Sequence, residues 1–269
     1  MAKFDTYKNA FPHAKLTRTP DGMLEVILHT DGDTVIFNGY THEEFPELFH
    51  QIGRDAENRV VILTGAGSAF METITPEGFD FFSPLGYDKI YREGKKVLMN
   101  LLDIKVPLIA AVNGPVRLHS EYILLADIVL ATPATVFQDR PHFEMGIVSG
   151  DGVNLLWQEA IGTVRGRYFI ITSQELGAEK AKEWGTVNEI VPADQLLPRA
   201  REIAGKLAKL PPLTSSYTRI ALTQKLRRIV DEGSAMGSRW RASVPPMSLA
   251  PWLRKASRCQ IFDELAGDA

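Results

Sequence analysis

KVPLIAAVNGP (105–115) and DIVLAT (127–132) decide the fold. Each is a short apolar run bounded by Pro, Gly or Asp, and a helical piece centred on Glu121–Ala126 separates them. A strand that feeds a helix and returns as a strand argues for parallel pairing through crossover helices, an α/β architecture. The rhythm extends upstream. RVVILTG (59–65) reads as a buried strand, and LEVILHT (24–30) as a strand after the Pro20-Asp21-Gly22 turn. Between them Thr41 and Glu44 have capping-box spacing ahead of an apolar face at Phe45, Leu48, Phe49 and Ile52. The stretch 66–85 reads as a loop, and 86–103 as a helix with Ile90, Val97, Leu98, Leu101 and Leu102 on one side. Downstream, helices are predicted at 152–161, 165–172 and 178–184, a strand at 187–191, and helices at Gln195–Leu210 and Ser215–Val230. From Gly233 the chain carries Pro245, Pro246 and Pro251, which break any long helix there and suggest an interface or lid element. A core over 1–195 and a C-terminal helical region over 196–269 follow.

The 269 residues, 45% hydrophobic and 23% charged, suffice for one large domain with a smaller appendage. A net charge of −3 supplies no basic field for nucleic acid. Cys259, the single cysteine, excludes an intramolecular disulfide and a cysteine-based zinc site, and favours a reducing compartment. No run is long enough to span a membrane, and MAKFDTYKNAFPHAK at the start lacks a hydrophobic signal core, so a cytoplasmic location is expected.

Six histidines are the candidates for chemistry, each alone reading as a surface or structural residue. Three have special settings. His42 opens a helix, whose dipole favours the neutral ring. His119 follows a core strand that ends in Asn113-Gly114-Pro115, and His142 lies in the loop entering Gly146–Gly152. Asp151, in SGDG (149–152), is either an N-cap for the next helix or a carboxylate that orients a histidine or donates a proton. Phosphate-binding, dinucleotide, GxSxG and HExxH motifs are absent: Gly65-Ala66-Gly67 follows a strand but lacks the third glycine, and no histidine pair has ligand spacing.

KVPLIAAVNGP, DIVLATPATVFQDRPHFEMGIVSGDG and GRYFIITSQELGAEKAKEWGTVNEIVP, within 59–192, resemble the crotonase (enoyl-CoA hydratase/isomerase) superfamily. The resemblance implies a spiral of ββα units with a C-terminal helical region that packs in homotrimers or hexamers. The departures are specific. Members that act on CoA thioesters take one oxyanion donor from a small-residue segment, here Met71-Glu72-Thr73-Ile74-Thr75, and another from a glycine stretch, here Arg117-Leu118-His119-Ser120 ahead of Glu121. His142 stands where hydratases place an acid/base glutamate.

This pattern is similar to the 6-oxocamphor hydrolase and β-diketone hydrolase branch, which hydrolyses carbon–carbon bonds. His119, His142, Asp151 and His42 match four of its positions, whereas Phe37 stands for a tryptophan. Its C-terminal carboxylate has no counterpart near Arg239-Trp240-Arg241, with Asp231 or Glu232 as substitutes. The resemblance implies retro-Claisen cleavage of a diketone without metal or organic cofactor. His142 would be the base, Asp151 would hold its ring or protonate the enolate, and His42 and His119 would donate to the oxyanions. Phe37, Leu118 and Ile74 would line the substrate. Two alternatives stand beside it: a CoA-ester hydratase or isomerase using Glu121 or Glu144 with backbone donors near Ile74 and Leu118, and a non-enzymatic scaffold.

Overall fold

The computed structural model describes residues 2–81, 83–145 and 147–242, with backbone only for Met145 and 234–242. In chain order it contains α1 (Phe4–Tyr7), β1 (Ala14–Arg18), β2 (Met23–Leu28), β3 (Ile36–Phe37), α2 (Gly39–Arg54), β4 (Val60–Gly65), β5 (Thr73–Ile74), α3 (Pro84–Asp103), β6 (Leu108–Val112) and α4 (Glu121–Leu124). There follow β7 (Ile128–Ala131), β8 (Val136–Phe137), α5 (Val153–Ile161), α6 (Thr163–Ile171), β9 (Leu176–Gly177), α7 (Ala178–Glu183), β10 (Glu189–Ile190), α8 (Ala193–Leu207) and α9 (Pro212–Ala242). A single 3₁₀ turn occupies Phe143–Met145.

One six-stranded sheet runs β1-β2-β4-β6-β7-β10. β1 and β2 form an antiparallel hairpin, and every later neighbour is parallel. The parallel strands are apolar throughout because both faces are covered. Val61, Leu63, Leu108, Ala110 and Val112 face α2, α3 and α5, whereas Val60, Ile62, Ile109, Ala111 and Leu130 face Leu196, Ala200 and Ala204 of α8. Alternate side chains of one strand thus serve two cores. Two small sheets, β3 with β5 in parallel and β8 with β9 antiparallel, flank the main one.

Four expectations shift. β1 appears in a stretch with no strand signal beyond the alternation of buried Ala14 and half-buried Leu16 and Arg18 with exposed neighbours. The 66–85 loop contains β5, whose pairing with β3 is set by tertiary contact and not by its own composition. α2 is capped by Asn38, not Thr41: the extended Asn38 accepts from the Tyr40 and Thr41 N–H groups, and Thr41 Oγ1 accepts from the Asn38 N–H. Glu44, expected in the cap, binds His13 instead. α9 runs to Ala242, past the predicted end at Val230, because the first proline of the tail is only at 245. That tail and Cys259 lie outside the described residues.

Arg219 ties α9 to the core. It is 2% exposed, its Nε donates to Asp127 Oδ2 at 2.7 Å, and its guanidinium also reaches the carbonyls of Leu101, Leu102, Ile104 and Leu125. Those carbonyls end α3 and α4, where helices leave acceptors unsatisfied. Asp127 also accepts from the Leu108 N–H at 2.7 Å, so one ion pair joins α9, the end of α4 and the start of β6. Arg219→Met leaves the Asp127 carboxylate and these carbonyls without their donor. The expected outcome is a loss of about 1–3 kcal/mol in unfolding free energy, read from urea denaturation.

Candidate active site

Three histidines approach one another above the sheet, and each ring is held through Nδ1 by a carboxyl group. His42 sits in the first turn of α2, a position set by the Asn38 cap, and its Nδ1 lies 2.9 Å from Glu93 Oε2 on α3. His119 precedes α4, with Nδ1 2.8 Å from Glu121 Oε1. His142 has Nδ1 2.6 Å from Asp139 Oδ1 and Nε2 2.9 Å from Asp151 Oδ2. All three rings are buried.

Packing fixes their planes. His119 lies between Phe37 (ring centroids 4.4 Å apart) and Tyr122 (4.9 Å, nearly parallel). The His42 and His119 centroids are 6.3 Å apart, and Phe79 packs 5.5 Å from His42. Trp157 pins the turn before Glu121 by donating to Ser120 Oγ at 2.9 Å. His119 itself has φ +47°, a left-handed backbone that costs a residue with a Cβ about 1–2 kcal/mol. Gly94 is the close approach on α3: a Cβ there would meet Asp151 Cβ at 3.6 Å and His42 Nε2 at 3.9 Å. Asp151 and the free edge of His42 therefore flank the same small space.

The environments push His42 and His142 apart in protonation. Burial pushes the His42 imidazole below its usual value, against the hydrogen bond to Glu93. Burial also opposes charge on His142, but Asp139 and Asp151 outweigh it and hold the ring up to about 10. Burial works against the Glu93 charge, yet His42 and Lys89 keep that carboxyl below the ordinary range. Lys89 Nζ is 3.5 Å from Glu93 and 2.7 Å from Glu43. Burial drives Glu121 upward, with Asp151 adding to it and His119 opposing.

The structure places His42, His119, His142 and Asp151 near one another, with Phe37 packed against two of the rings. Asp151 serves the histidine more than the helix: its distance to the Val153 N–H is 3.5 Å, and Gly152 is the capping position of α5. Leu118 is fully buried in the core and its N–H donates to the Met71 carbonyl at 3.3 Å. Ile74 is half-buried on β5. Asp231 is exposed and pairs with Lys95, and Glu232 is exposed. Side chains of Arg239, Trp240 and Arg241 lie outside the described residues. Glu144 is exposed on the 3₁₀ turn.

Glu93 and Asp139 were missed. Glu93 falls between Ile90 and Val97 in the apolar stripe of α3, and a charge inside such a stripe was its signal. Asp139 stands three residues before His142, and Ser149 Oγ donates to its other oxygen at 3.0 Å. Among the described residues, His119, Glu121 and Asp151 form the one group able to offer a metal three donors, with one atom from each within 4.8 Å of the others. No described helix is long and apolar enough to cross a membrane.

A family model described as enoyl-CoA hydratase/isomerase matches residues 19–244. The chain belongs to that family, within the crotonase superfamily. Family relatives include the carnitinyl-CoA dehydratase of Proteus mirabilis (strain HI4320), 29% identical over 200 residues that cover 72% of this chain and 74% of that protein. The short-chain-enoyl-CoA hydratase of Clostridium acetobutylicum is 28% identical over 203 residues, 75% of this chain and 77% of that one. Among solved structures of the family, a β-diketone hydrolase from the cyanobacterium Anabaena sp. PCC 7120, bound to (S)-3-oxocyclohexyl acetic acid, is 50% identical with a TM-score of 0.86. The match covers 92% of this chain and 98% of that one. An enoyl-CoA hydratase from Mycobacterium avium subsp. paratuberculosis K-10 shares the fold at 20% identity, TM-score 0.75, over 91% of this chain and 97% of that one.

Glu93→Gln tests the first dyad. The carboxylate favours the charged His42 ring, so its removal lowers the His42 pKa further. The expected result is a downward shift of the His42 ring-proton titration, followed by NMR, with the fold unchanged.

Proposed function

We propose that this protein hydrolyses a carbon–carbon bond of a β-diketone, of the cyclic kind, by a retro-Claisen reaction that yields a keto acid. The observation that carries the reading is the convergence of His42, His119 and the His142–Asp151 pair, each backed by its own carboxyl group. The 50% identity to a β-diketone hydrolase supports it.

Water at neutral pH is a weak nucleophile and needs a base. The resemblance gave that task to His142, but both its nitrogens face carboxylates and its pKa stands near 10, which makes it an acid at rest. We assign the base to His42. Its Nδ1–H donates to the ionised Glu93, its depressed pKa keeps it neutral, and its Nε2 lone pair faces the space beside Gly94. His42 takes a proton from water as hydroxide adds to one carbonyl. The adduct collapses, the bond from that carbonyl carbon to the α-carbon breaks, and the electron pair becomes an enolate. Asp151, resupplied by the His142 imidazolium, delivers a proton to the α-carbon. His119 donates to the oxygen that carries the developing charge, and Phe37, Leu118 and Ile74 belong to the substrate's surroundings. The proton on His42 returns the site to its starting state through solvent. The reaction moves protons and one water, so its chemistry asks for no cofactor.

The CoA-ester alternative would draw on backbone donors near Ile74 and Leu118 with Glu121 or Glu144 as acid/base. The Leu118 N–H is already bonded to Met71, and Glu144 points to solvent. Exposed apolar residues at helical spacing, Val164, Tyr168 and Ile171 on α6 and Leu213, Tyr217 and Ile220 on α9, support assembly as a homotrimer or hexamer. We place the enzyme in the cytoplasm.

Ultraviolet loss of a small cyclic 1,3-diketone, set against hydration of crotonyl-CoA, tests the reading. Diketone loss is expected, and crotonyl-CoA hydration without it would overturn the assignment. His42→Ala, His119→Ala and His142→Ala are each expected to lower diketone turnover at least about a hundredfold. The pH–rate profile follows from the two shifted rings. Activity falls as pH drops through the depressed His42 value and the base becomes charged. It falls again as pH rises through about 10 and His142 loses its proton, with a plateau between roughly pH 7 and 9. Asp139→Asn removes one charge that holds His142 protonated, so the alkaline limb is expected to move to lower pH.

A further inference from the structure

The two His–Glu dyads look alike but differ in where the carboxyl group stands. Glu93 reaches toward the surface and has Lys89 as a second partner. Glu121 is 1% exposed, and among the described residues its single ion-pair partner is the His119 ring. Its Oε2 is enclosed and has no hydrogen-bond partner among those residues. One oxygen of Asp151 lies within 4.8 Å of Glu121, and the Asp151 charge is already committed to the His142 imidazolium.

Ionised, Glu121 would bury an unsatisfied charged oxygen beside a like charge, an arrangement that like-charged pairs relieve by keeping one proton. As a neutral acid it leaves at Oε2 only an uncharged carbonyl, a far smaller desolvation problem. The proton then has one good acceptor, the His119 Nδ1 at 2.8 Å from Oε1. This decides the tautomer. If Glu121 accepted an Nδ1–H, a neutral His119 would turn a lone pair at Nε2 toward the substrate and repel an oxyanion. If Glu121 donates, the ring proton sits on Nε2 and becomes the donor.

We propose that Glu121 is a neutral carboxylic acid that donates to Nδ1 of His119 and so fixes the tautomer in which His119 offers Nε2–H to the charge developing on the substrate. The inference rests on the reading of His119 as an oxyanion donor and makes Glu121 its positioning residue. The other groups facing the ring are Phe37, Tyr122, His42 and Asp151. One glutamate, ionised, makes its histidine a base; the other, protonated, makes its histidine a donor. Burial and charge neighbours alone separate them.

Two-bond ¹H–¹⁵N spectra of the full-length protein labelled in histidine, recorded at pH 7 with His119→Gln for assignment, read the tautomer directly. A neutral His119 with its proton on Nε2 is expected in the wild type. Glu121→Gln should preserve it, because the amide N–H also donates to Nδ1, and should keep kcat for the diketone within about threefold. Glu121→Leu should lose the tautomer preference and about a hundredfold in kcat. A His119 protonated at Nδ1, or at both nitrogens, in the wild type overturns the proposal, as does a Glu121→Gln protein without the Nε2 proton. The spectra need no turnover, so failure of the tautomer and failure of the diketone reading are told apart.

Discussion

A hydrogen bond between Nδ1 of an imidazole and a buried or half-buried carboxyl group is the interaction on which this site depends. It occurs three times, with Glu93, Glu121 and Asp139, and each carboxyl comes from a different element. In every case the bond fixes the ring's orientation and leaves Nε2 to face the centre. What differs is the electrostatic setting of the carboxyl group. Because a ring's tautomer follows what its anchored nitrogen does, three chemically similar pairs can hold different protonation states within a few ångströms.

That arrangement depends on the scaffold in definite ways. The Asn38 cap fixes where α2 begins, and hence puts His42 one turn in, where the positive end of the helix favours a neutral ring. Gly94 lets α3 pass close to Asp151 and His42 while Glu93, its neighbour, reaches the His42 ring. Arg219 closes the far ends of α3 and α4 together, so the helices that carry Glu93 and Glu121 share one anchor. The ion pairs at the rim, such as Lys89 with Glu43, are exposed and contribute little to stability by themselves.

Much of this was legible in the sequence, and the rest has physical reasons for being hidden. The parallel strands are continuous apolar runs, so β4, β6 and β7 declared themselves through Val60–Gly65, Leu108–Val112 and Ile128–Ala131. β1 and the two-residue β3 and β5 did not, since their pairing is decided by distant partners and not by local pattern. His42, His119 and His142 stand out by their settings at a helix start and in loops, but they and Asp151 become site residues only through the family resemblance. Of their carboxyl partners Glu121 was a candidate too, but Glu93 shows only as a charge in an apolar stripe until α3 packs on α2, and Asp139 is an ordinary loop acid until the chain folds back over it. Asp231, one of the two acids offered in place of the C-terminal carboxylate, pairs with Lys95, and the carboxylate bonded to His42 comes from the middle of the chain.

His119 keeps a backbone suited to glycine, φ +47°, while carrying the bulkiest ring its turn accommodates between Phe37 and Tyr122. That turn would suit a glycine, and the chain hangs an imidazole upon it. Strain and chemistry are coupled at that one position: a glycine there would relax the turn and firm up the fold while erasing the donor. Selection for robustness alone would thus favour an inert protein, and a ring held in so uncomfortable a conformation points to use.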